Sequence, residues 1–464
     1  MEGEQAAATT TTCHIVAMPY PGRGHINPLV NLFKFLITSK KITDIIVTFV
    51  VTEEWLSFIG AQPKPDNIRF HSMPNVIPSE LDRADDFVGF VDAVMTKMET
   101  PFENILDRLQ PPPTLIISDT FLFWAVTVGN RKNIPVASFW PMSASVFSVF
   151  QHFLLFEGNG HFPVNLLEKG EERVDYIPGI SSTSLMDFPN FLDGNSTSQK
   201  LLQWIFKGFS CVPKAQYLLF PSIYELEPKV IDVLRAELSL PIYTIGPCIP
   251  YFSIGGESPS DQSSLSYLQW LDCQPPGSVL YISQGSFLSV SSVQIDEIAA
   301  GLCDSGVRFL WVARGEVSKL KEVCGNNGLV LDWCDQLKVL LHRSVGGFWT
   351  HCGWNSTREG VFAGVPFLTF PIIMDQMLNS KIMVEDWKIG WRVKKGLGVD
   401  TVVTRSEIVG LLKKFMDLES DVAKDMRQRA IQLQQICQAA IDNGGSSETN
   451  INAFVKDIVQ CHTH

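Results

Sequence analysis

A histidine and an aspartate stand where each could do acid-base chemistry. His25 lies in PYPGRGHINP, residues 19–28, directly after an apolar run, and Asp119 ends a second apolar run, TLIISD. If both runs are parallel strands of one sheet, their carboxyl ends open on the same edge. A carboxylate beside an imidazole fixes its tautomer and stabilises its cation, so this pair would form an oriented general base.

Each residue also has a plainer interpretation. His25 could be a surface or helix-capping histidine, and Asp119 could be the N-cap of a helix at FLFWAVTVG, a role compatible with catalysis. The stretch 19–28 is not predicted to be a dinucleotide loop, because Asn27 replaces the third glycine and no acidic residue ends the next strand. His14, inside the first apolar run, is predicted to be a half-buried strand residue.

A second candidate site is the turn HCGWNS, between the predicted strand VGGFWT and the predicted helix STREGVFAG. Gly353 lets a ligand approach the backbone, and the free N–H groups of a helix N-terminus attract anions. A diphosphate would fit such a turn. Its other polar side chains are His351, Asn355 and Ser356.

The same turn has an alternative explanation as an ordinary helix start. Asn355 or Ser356 would be the N-cap, and Glu359, three residues after Ser356, would complete a capping box. In the same way, SVLYISQGSF could be a plain strand-to-helix turn, or Ser286 could approach a phosphate there. The residues alone leave both choices open.

These residues need a scaffold, and the sequence predicts a doubly wound α/β fold. Short apolar runs rich in β-branched and aromatic residues alternate with helical patterns, which fits parallel strands covered on both faces. The predicted strands are 14–19, 45–51, 114–119, 217–222, 278–283, 308–313 and 345–350. The helix after the first strand is predicted to begin at Pro28, because proline favours the first helical position.

A chain of 464 residues predicts two domains with a ligand cleft between them. The Pro-, Gly- and Ser-rich segment 247–264 is predicted to link an N-terminal domain, 1–246, to a C-terminal domain, 265–442. The remaining segment, 443–464, is predicted to form a final helix that packs back on the N-terminal domain.

Composition excludes several classes of protein. The net charge of −12 disfavours nucleic acids and anionic membranes as partners. The ten cysteines have neither disulfide-framework nor zinc-site spacing, and the N-terminus lacks a signal-peptide pattern, so a cytoplasmic protein is expected. The apolar stretch 137–156 contains Pro141 and several serines, which predicts a buried helix and no membrane insertion.

Residues 333–376, from WCDQ to the final DQ, resemble the signature of plant secondary-product glycosyltransferases. THCGWNS, Glu359, GVP and DQ fall at that family's spacing, and the chain is similar to a branch that has WCDQ and SQGS as motif variants. The resemblance implies a GT-B fold, in which two Rossmann-like domains face each other across a cleft, and a UDP-sugar-dependent transfer reaction.

The resemblance also implies three groups of donor-binding residues. Those expected at the uracil and ribose are Trp333, Cys334, Gln336 and Glu359. Those expected at the diphosphate are Ser286, His351, Gly353, Asn355 and Ser356. Those expected at the sugar hydroxyls are Trp354, Asp375 and Gln376.

Within that resemblance, Trp354 together with Gln376 favours UDP-glucose as the donor substrate, and no separate cofactor is expected. The chain has no D-x-D carboxylate pair, so no metal is expected to be required. Asp335 and Gln284 stand where the family mostly has proline and phenylalanine, and the sequence does not predict the effect of either change.

His25 and Asp119 match the positions of the family's catalytic pair, which implies a direct displacement with inversion at the anomeric carbon. The acceptor is expected to be a small hydrophobic molecule with a hydroxyl, such as a phenolic, a flavonoid or a terpenoid, bound by a monomeric enzyme. The residues predicted to line its pocket are Phe121, Trp140, Met186 and Phe188.

Two other classes of protein remain as alternatives. A catalytically silent nucleotide-sugar-binding protein is expected to have lost His25 or Asp119, and both are present. An NAD(P)-dependent oxidoreductase on a similar fold is disfavoured by the missing third glycine.

Overall fold

Short strands alternate with helices along the computed structural model, which describes residues 13–39, 45–253, 262–285, 291–313, 317–325, 328–394 and 402–460. The strands of the first half are β1 (Cys13–Met18), β2 (Ile45–Thr52), β3 (Ile68–Met73), β4 (Leu115–Asp119), β5 (Val136–Phe139), β6 (Arg173–Val174), β7 (Thr183–Ser184), β8 (Tyr217–Phe220) and β9 (Ile242–Thr244). Seven of them form one parallel sheet in the order β3-β2-β1-β4-β5-β8-β9, while β6 and β7 pair antiparallel.

Helices connect these strands. They are α1 (Arg23–Thr38), α2 (Glu53–Ile59), α3 (Phe87–Lys97), α4 (Glu99–Leu106), α5 (Phe123–Arg131), α6 (Ala144–Gln151), α7 (Leu154–Gly158), α8 (Leu166–Lys169), α9 (Ser196–Cys211) and α10 (Pro228–Glu237). Short 3-10 turns lie at Leu185–Asp187, Val212–Lys214, Tyr224–Leu226 and Pro250–Ser253.

The second half builds a separate parallel sheet. Its strands are β10 (Val279–Ser283), β11 (Arg308–Val312), β12 (Gly328–Leu331), β13 (Val345–Thr350), β14 (Phe367–Thr369) and β15 (Gly390–Arg392), in the order β12-β11-β10-β13-β14-β15. Its helices are α11 (Gln262–Asp272), α12 (Ser292–Ser305), α13 (Val317–Cys324), α14 (Gln336–Leu340), α15 (Trp354–Ala363), α16 (Gln376–Lys381), α17 (Arg405–Phe415), α18 (Asp421–Ile441) and α19 (Ser446–Gln460), and a π-helical turn covers Ile382–Asp386.

The predicted doubly wound α/β architecture is confirmed, and each predicted strand lies within two residues of an observed one. The reason is visible in β1, which is buried along its whole length. Val16 and Met18 join the apolar cluster on one face of the first sheet, whereas Ile15 and Ala17 join the cluster on the other. Successive side chains of a strand point to opposite faces, so a continuous apolar run suits a strand covered on both sides.

Two boundary predictions are wrong. Helix α1 begins at Arg23, so that Pro28 lies inside it and His25 lies in its first turn. The stretch 137–156 is not one helix but the end of β5, a turn at Pro141, and the helices α6 and α7. Ser143 starts α6 by accepting a hydrogen bond from the backbone N–H of Val146, as an N-cap residue does.

The final helix, α19, packs against the first sheet. Phe454 contacts the rings of Tyr217 in β8 and Tyr243 in β9, with ring centroids 5.9 and 5.6 Å apart. Ile451 and Ile458 join the same apolar cluster. Part of the predicted linker, residues 254–261, lies outside the described residues.

Candidate active site

His25 and Asp119 meet at the edge of the first sheet. Their strands β1 and β4 are parallel neighbours, with Met18 opposite Ser118, so the loop after β1 and the end of β4 lie side by side. His25 Nδ1 lies 2.7 Å from Asp119 Oδ2; the aspartate side chain is fully buried, while that of the histidine is 23% exposed. The carboxylate therefore holds one ring nitrogen and leaves Nε2 for a ligand.

The second carboxylate oxygen of Asp119 is also used. Asp119 Oδ1 accepts a hydrogen bond of 3.0 Å from the backbone N–H of Phe121. Helix α5 starts only at Phe123, with Leu122 as the N-cap residue and no side-chain cap. The alternative interpretation of Asp119 as the helix N-cap is therefore wrong, because its hydrogen bonds orient the loop and His25 instead.

Several neighbours of His25 escaped the sequence analysis. The ring of Tyr20 lies 5.0 Å from that of His25, and the Tyr20 hydroxyl is buried without a hydrogen-bond partner among the described residues. Arg83 Nη1 donates to the Pro21 carbonyl at 3.2 Å and lies 3.1 Å from the Glu80 carboxylate. Burial raises the pKa of Glu80 to about 7, although Arg83 opposes the shift. Tyr20 stands in the quoted loop, but no local pattern marked Glu80 or Arg83.

On the opposite side of the cleft, β13 leads through a sharp turn into α15. Cys352 has a left-handed φ of 68°, and Gly353 is the N-cap residue of α15 without a side-chain cap. The predicted N-caps, Asn355 and Ser356, and the capping box with Glu359 are therefore wrong, since the left-handed turn starts the helix earlier. The first N–H groups of α15 have no capping side chain in front of them, as an anion site requires.

Two glycines leave room for the His351 ring. A Cβ atom added to Gly285 would lie 2.8 Å from His351 Nε2, and one added to Gly353 would lie 2.5 Å from it. Larger residues at these positions would displace the imidazole. The predicted phosphate residue Ser286 follows Gly285 directly but lies outside the described residues.

Gln336 and Glu359, two of the residues predicted at the uracil and ribose, belong to one hydrogen-bonded network. Gln336 Nε2 donates to Ser356 Oγ at 3.1 Å and to Glu359 Oε2 at 2.8 Å, while Gln336 Oε1 accepts from the Tyr281 hydroxyl at 3.2 Å. Burial raises the pKa of Glu359 to about 7, and the bond from Gln336 partly offsets this shift. Tyr281, which the sequence analysis missed, is the buried support of this network.

Trp333 and Cys334 differ sharply in exposure at the start of the same segment. Trp333 is 61% exposed, so the face of its indole is open to a planar ligand. Cys334 is buried and its Sγ lies 3.5 Å from the Tyr281 hydroxyl. Asp335, which stands where the family mostly has proline, is the N-cap of α14, since its side chain accepts a hydrogen bond from the backbone N–H of Lys338.

The three residues predicted at the sugar lie where the two halves meet. The indole N–H of Trp354 is buried without a partner among the described residues. Asp375 accepts a hydrogen bond of 2.8 Å from Asn379, and burial raises the pKa of Asp375 to about 6 even though Asn379 and the nearby His25 lower it. Gln376 Oε1 accepts from the backbone N–H groups of Ile372 and Ile373.

Two of the four residues predicted to line an acceptor pocket, Phe121 and Trp140, contact each other, with ring centroids 5.1 Å apart. Phe121 lies beside His25, with ring centroids 6.3 Å apart. Trp140 is fully buried behind Phe121 and donates to the Ser143 carbonyl, so it supports that ring from the core. Phe188 packs on Phe156, and the side chain of Met186 faces Gly170.

The cysteines in the described part of the chain are thiols that form no disulfide bond. Over those residues, no three His, Cys, Asp or Glu side chains cluster closely enough to hold a metal ion. In the same ranges, no helix combines the length and the apolar character needed to span a membrane.

Two facing parallel sheets, with a His–Asp pair at one edge and a helix N-terminus at the other, are the framework of a GT-B glycosyltransferase. A family model described as UDP-glucoronosyl and UDP-glucosyl transferase matches residues 230–409. UDP-glycosyltransferases 87A1 and 87A2 from Arabidopsis thaliana are each 52% identical to the chain. Each alignment covers 96% of this chain, and together they cover 100% of 87A1 and 96% of 87A2.

Two solved structures are similar to this chain over almost its whole length. Os79 from O. sativa, in complex with UDP, is 25% identical with a TM-score of 0.81, covering 96% of this chain and 100% of that one. Medicago truncatula UGT71G1, complexed with UDP-glucose, is 27% identical with a TM-score of 0.78, covering 97% and 98%. The chain belongs to the plant family 1 UDP-glycosyltransferases, and its fold is GT-B.

Proposed function

We propose that the protein is an inverting UDP-glucose-dependent glucosyltransferase that acts on a hydroxyl of a small hydrophobic acceptor. The observation that carries this proposal is the 2.7 Å contact between His25 Nδ1 and Asp119 Oδ2 beside the cleft. Family membership alone would also suit a protein that binds a nucleotide sugar and does nothing further, whereas a buried aspartate that orients a partly exposed histidine serves proton transfer.

In the proposed reaction, Nε2 of His25 takes the proton from the acceptor hydroxyl while its oxygen attacks the anomeric carbon. The bond between that carbon and the diphosphate oxygen breaks, and UDP leaves from the opposite face. Asp119 stabilises the imidazolium that forms. An α-linked donor would therefore give a β-glucoside.

UDP-glucose is proposed as the donor for two reasons. Trp354 and Gln376 are the pair that the family resemblance associates with glucose, and the buried Trp354 N–H lacks a partner among the described residues until a ligand accepts from it. The related Medicago protein was solved with UDP-glucose, and the Phytolacca americana protein with UDP-2fluoro-glucose.

The acceptor is proposed only by class. Related structures hold a trichothecene in one case and pterostilbene in another, and a third relative is described as capable of glucosylating indoxyl. Tyr20 and Phe121 flank His25 with aromatic rings, which suits an apolar molecule that presents its hydroxyl to Nε2. A phenolic, flavonoid or terpenoid alcohol would meet that description.

Three further properties are part of the proposal. Transfer needs no metal ion, because the neutral donors and the N-terminus of α15 would carry the diphosphate charge. The enzyme works in the cytoplasm, in keeping with free thiols at the described cysteines. It acts as a monomer, because the residues assigned to the base and to the donor all lie in one chain.

The deciding experiment is UDP release over a panel of hydroxylated acceptors, with and without EDTA, followed by NMR of the product's anomeric centre. We expect acceptor-dependent UDP release that EDTA leaves unchanged, and a β-linked glucoside. UDP binding without release for any acceptor would instead indicate a silent nucleotide-sugar-binding protein. Binding of a nicotinamide cofactor would favour the oxidoreductase alternative.

A further inference from the structure

The carbonyl oxygen of Gly24, the residue before His25, is bonded to the other half of the molecule. In an α-helix this oxygen would accept from the N–H of residue 28, but Pro28 has no N–H and lies inside α1. Asn355 Nδ2 donates to the Gly24 oxygen instead, at 3.1 Å. The loop that carries the histidine therefore contacts the first turn of the donor-side helix α15 directly.

A buried arginine fixes the orientation of that asparagine. Arg358, one turn further along α15, is 3% exposed, and its Nη2 donates to Asn355 Oδ1. With its amide oxygen engaged in this way, Asn355 turns its NH2 group toward Gly24. A guanidinium is a planar fork of donors in fixed directions, so it orients a partner more strictly than an ammonium does.

A second nitrogen of the Arg358 guanidinium reaches both the first domain and the start of the linker. Its Nη1 donates to the carbonyl of Pro221, directly after β8, at 3.2 Å and to the carbonyl of Pro247. A single side chain thus bonds to the donor helix, the end of a first-sheet strand and the chain that joins the two halves. Its position depends on how the halves sit against each other.

We propose that Arg358, acting through Asn355, is a positioning residue that holds the His25 loop in register with the donor helix; this rests on the proposed function. The NH2 group of Asn355 has two hydrogens, so its bond to Gly24 leaves one for a diphosphate oxygen. One amide would then join donor binding to the placement of the base, and Pro28 keeps the Gly24 carbonyl available for it.

Two variants and one control test this. Arg358→Lys keeps a buried cation but loses the fork, and Pro28→Ala supplies an N–H that competes for the Gly24 oxygen. Alanine is also a better helix former than proline, so the second variant is expected to fold. Arg427→Lys is the matched control, because Arg427 Nη2 donates to a backbone carbonyl, that of Phe415, away from the cleft.

The measurements are turnover at saturating UDP-glucose, UDP affinity by calorimetry and hydrogen exchange of the segment 19–28. We expect Arg358→Lys to lower kcat by about 10- to 100-fold, as small misplacements of reacting groups do. UDP affinity should stay within about threefold of the wild-type value. This change is small, because a tenfold change in affinity corresponds to about 1.4 kcal/mol. Exchange in 19–28 should rise in both test variants and not in Arg427→Lys.

Wild-type turnover in Arg358→Lys, or exchange in 19–28 equal to that of the control, would overturn the proposal. A loss of turnover explained wholly by weaker UDP binding would also overturn it, because the arginine would then serve only the donor. Hydrogen exchange does not depend on activity, so the coupling can fail or hold independently of whether the wild-type protein transfers glucose.

Discussion

The two sides of the cleft organise their polar groups differently. On the base side, Asp119 is fully buried and its two oxygens serve His25 and one backbone N–H. On the donor side, the amide of Gln336 donates to both the Glu359 carboxylate and the Ser356 hydroxyl. Trp333 on the same side is exposed to solvent. The base side thus depends on one pair, whereas the donor side distributes its contacts over many groups.

This difference predicts how each side should respond to mutation. Removing a single proton-transfer group removes the reaction step itself, which contributes far more than one hydrogen bond. Removing one of many neutral hydrogen bonds costs about 1 kcal/mol, which corresponds to a loss of affinity of less than tenfold. Base-side variants should therefore change kcat, and variants of the residues that contact the donor directly should change UDP affinity.

The largest effect is expected for His25→Ala. Loss of the base should lower kcat by about 100- to 10,000-fold, while UDP affinity by calorimetry stays unchanged. His71→Ala, at a part-buried strand histidine that contacts the Ser72 carbonyl, is the matched control. Unchanged turnover in His25→Ala would remove the proposed role of the histidine and the contrast between the two sides.

Asp119→Asn should cause the second largest loss of kcat. The amide keeps the shape but cannot hold the imidazole in the same tautomer or stabilise its cation, so kcat should fall by roughly 100-fold. Asp232→Asn, which alters an exposed carboxylate bonded to Tyr224, should leave kcat as it is. If both aspartate variants behave alike, the carboxylate does not act through His25.

Trp333→Ala should weaken UDP binding by roughly 2- to 12-fold, since an aromatic stacking contact contributes about 0.5–1.5 kcal/mol. Its kcat at saturating UDP-glucose should remain close to wild type. Trp333→Phe retains a ring and should lose less affinity. Equal UDP affinity in all three proteins would show that the open indole face does not bind the nucleotide.

The last prediction concerns the stability of the ligand-free protein and not turnover or UDP binding. The pKa of Glu359 is raised from 4.5 to about 7, chiefly by burial, so the folded protein keeps a proton that the unfolded chain releases. The stabilisation is complete below pH 4.5 and is lost as the pH rises through about 7. Urea unfolding at pH 5 and 8 should therefore show a loss of unfolding free energy of about 2.5 kcal/mol from this group that Glu359→Gln lacks. An equal pH dependence in the variant would contradict this assignment.

The strands and the chemistry-bearing residues could be predicted because their signals are local. A continuous apolar run such as VGGFWT can be covered on both faces wherever its neighbours come from, and the residues 333–376 hold their motif in one segment. Helix starts were predicted less well. Pro28 and Ser356 are good first-turn residues, but the turns at Gly22 and Cys352 begin both helices earlier.

The acceptor side has no local signal of its own, because an aromatic residue gives the same sequence pattern whether it faces a cleft or the core. Phe121 and Trp140 look alike in the sequence, yet only Phe121 lies next to His25. Glu80 and Arg83 reach the same loop from a segment without any motif.

The sequence by itself determined the fold class, the family and the identity of the His–Asp pair, because short-range pattern and spacing carry that information. Only the tertiary structure decided that Asn355 bonds to Gly24, 331 residues away, and that Arg358 orients it. Contacts of this kind depend on how two domains are packed, and a residue's local pattern does not specify its distant partner. The placement of the histidine loop against the donor helix is therefore a property of the assembled fold.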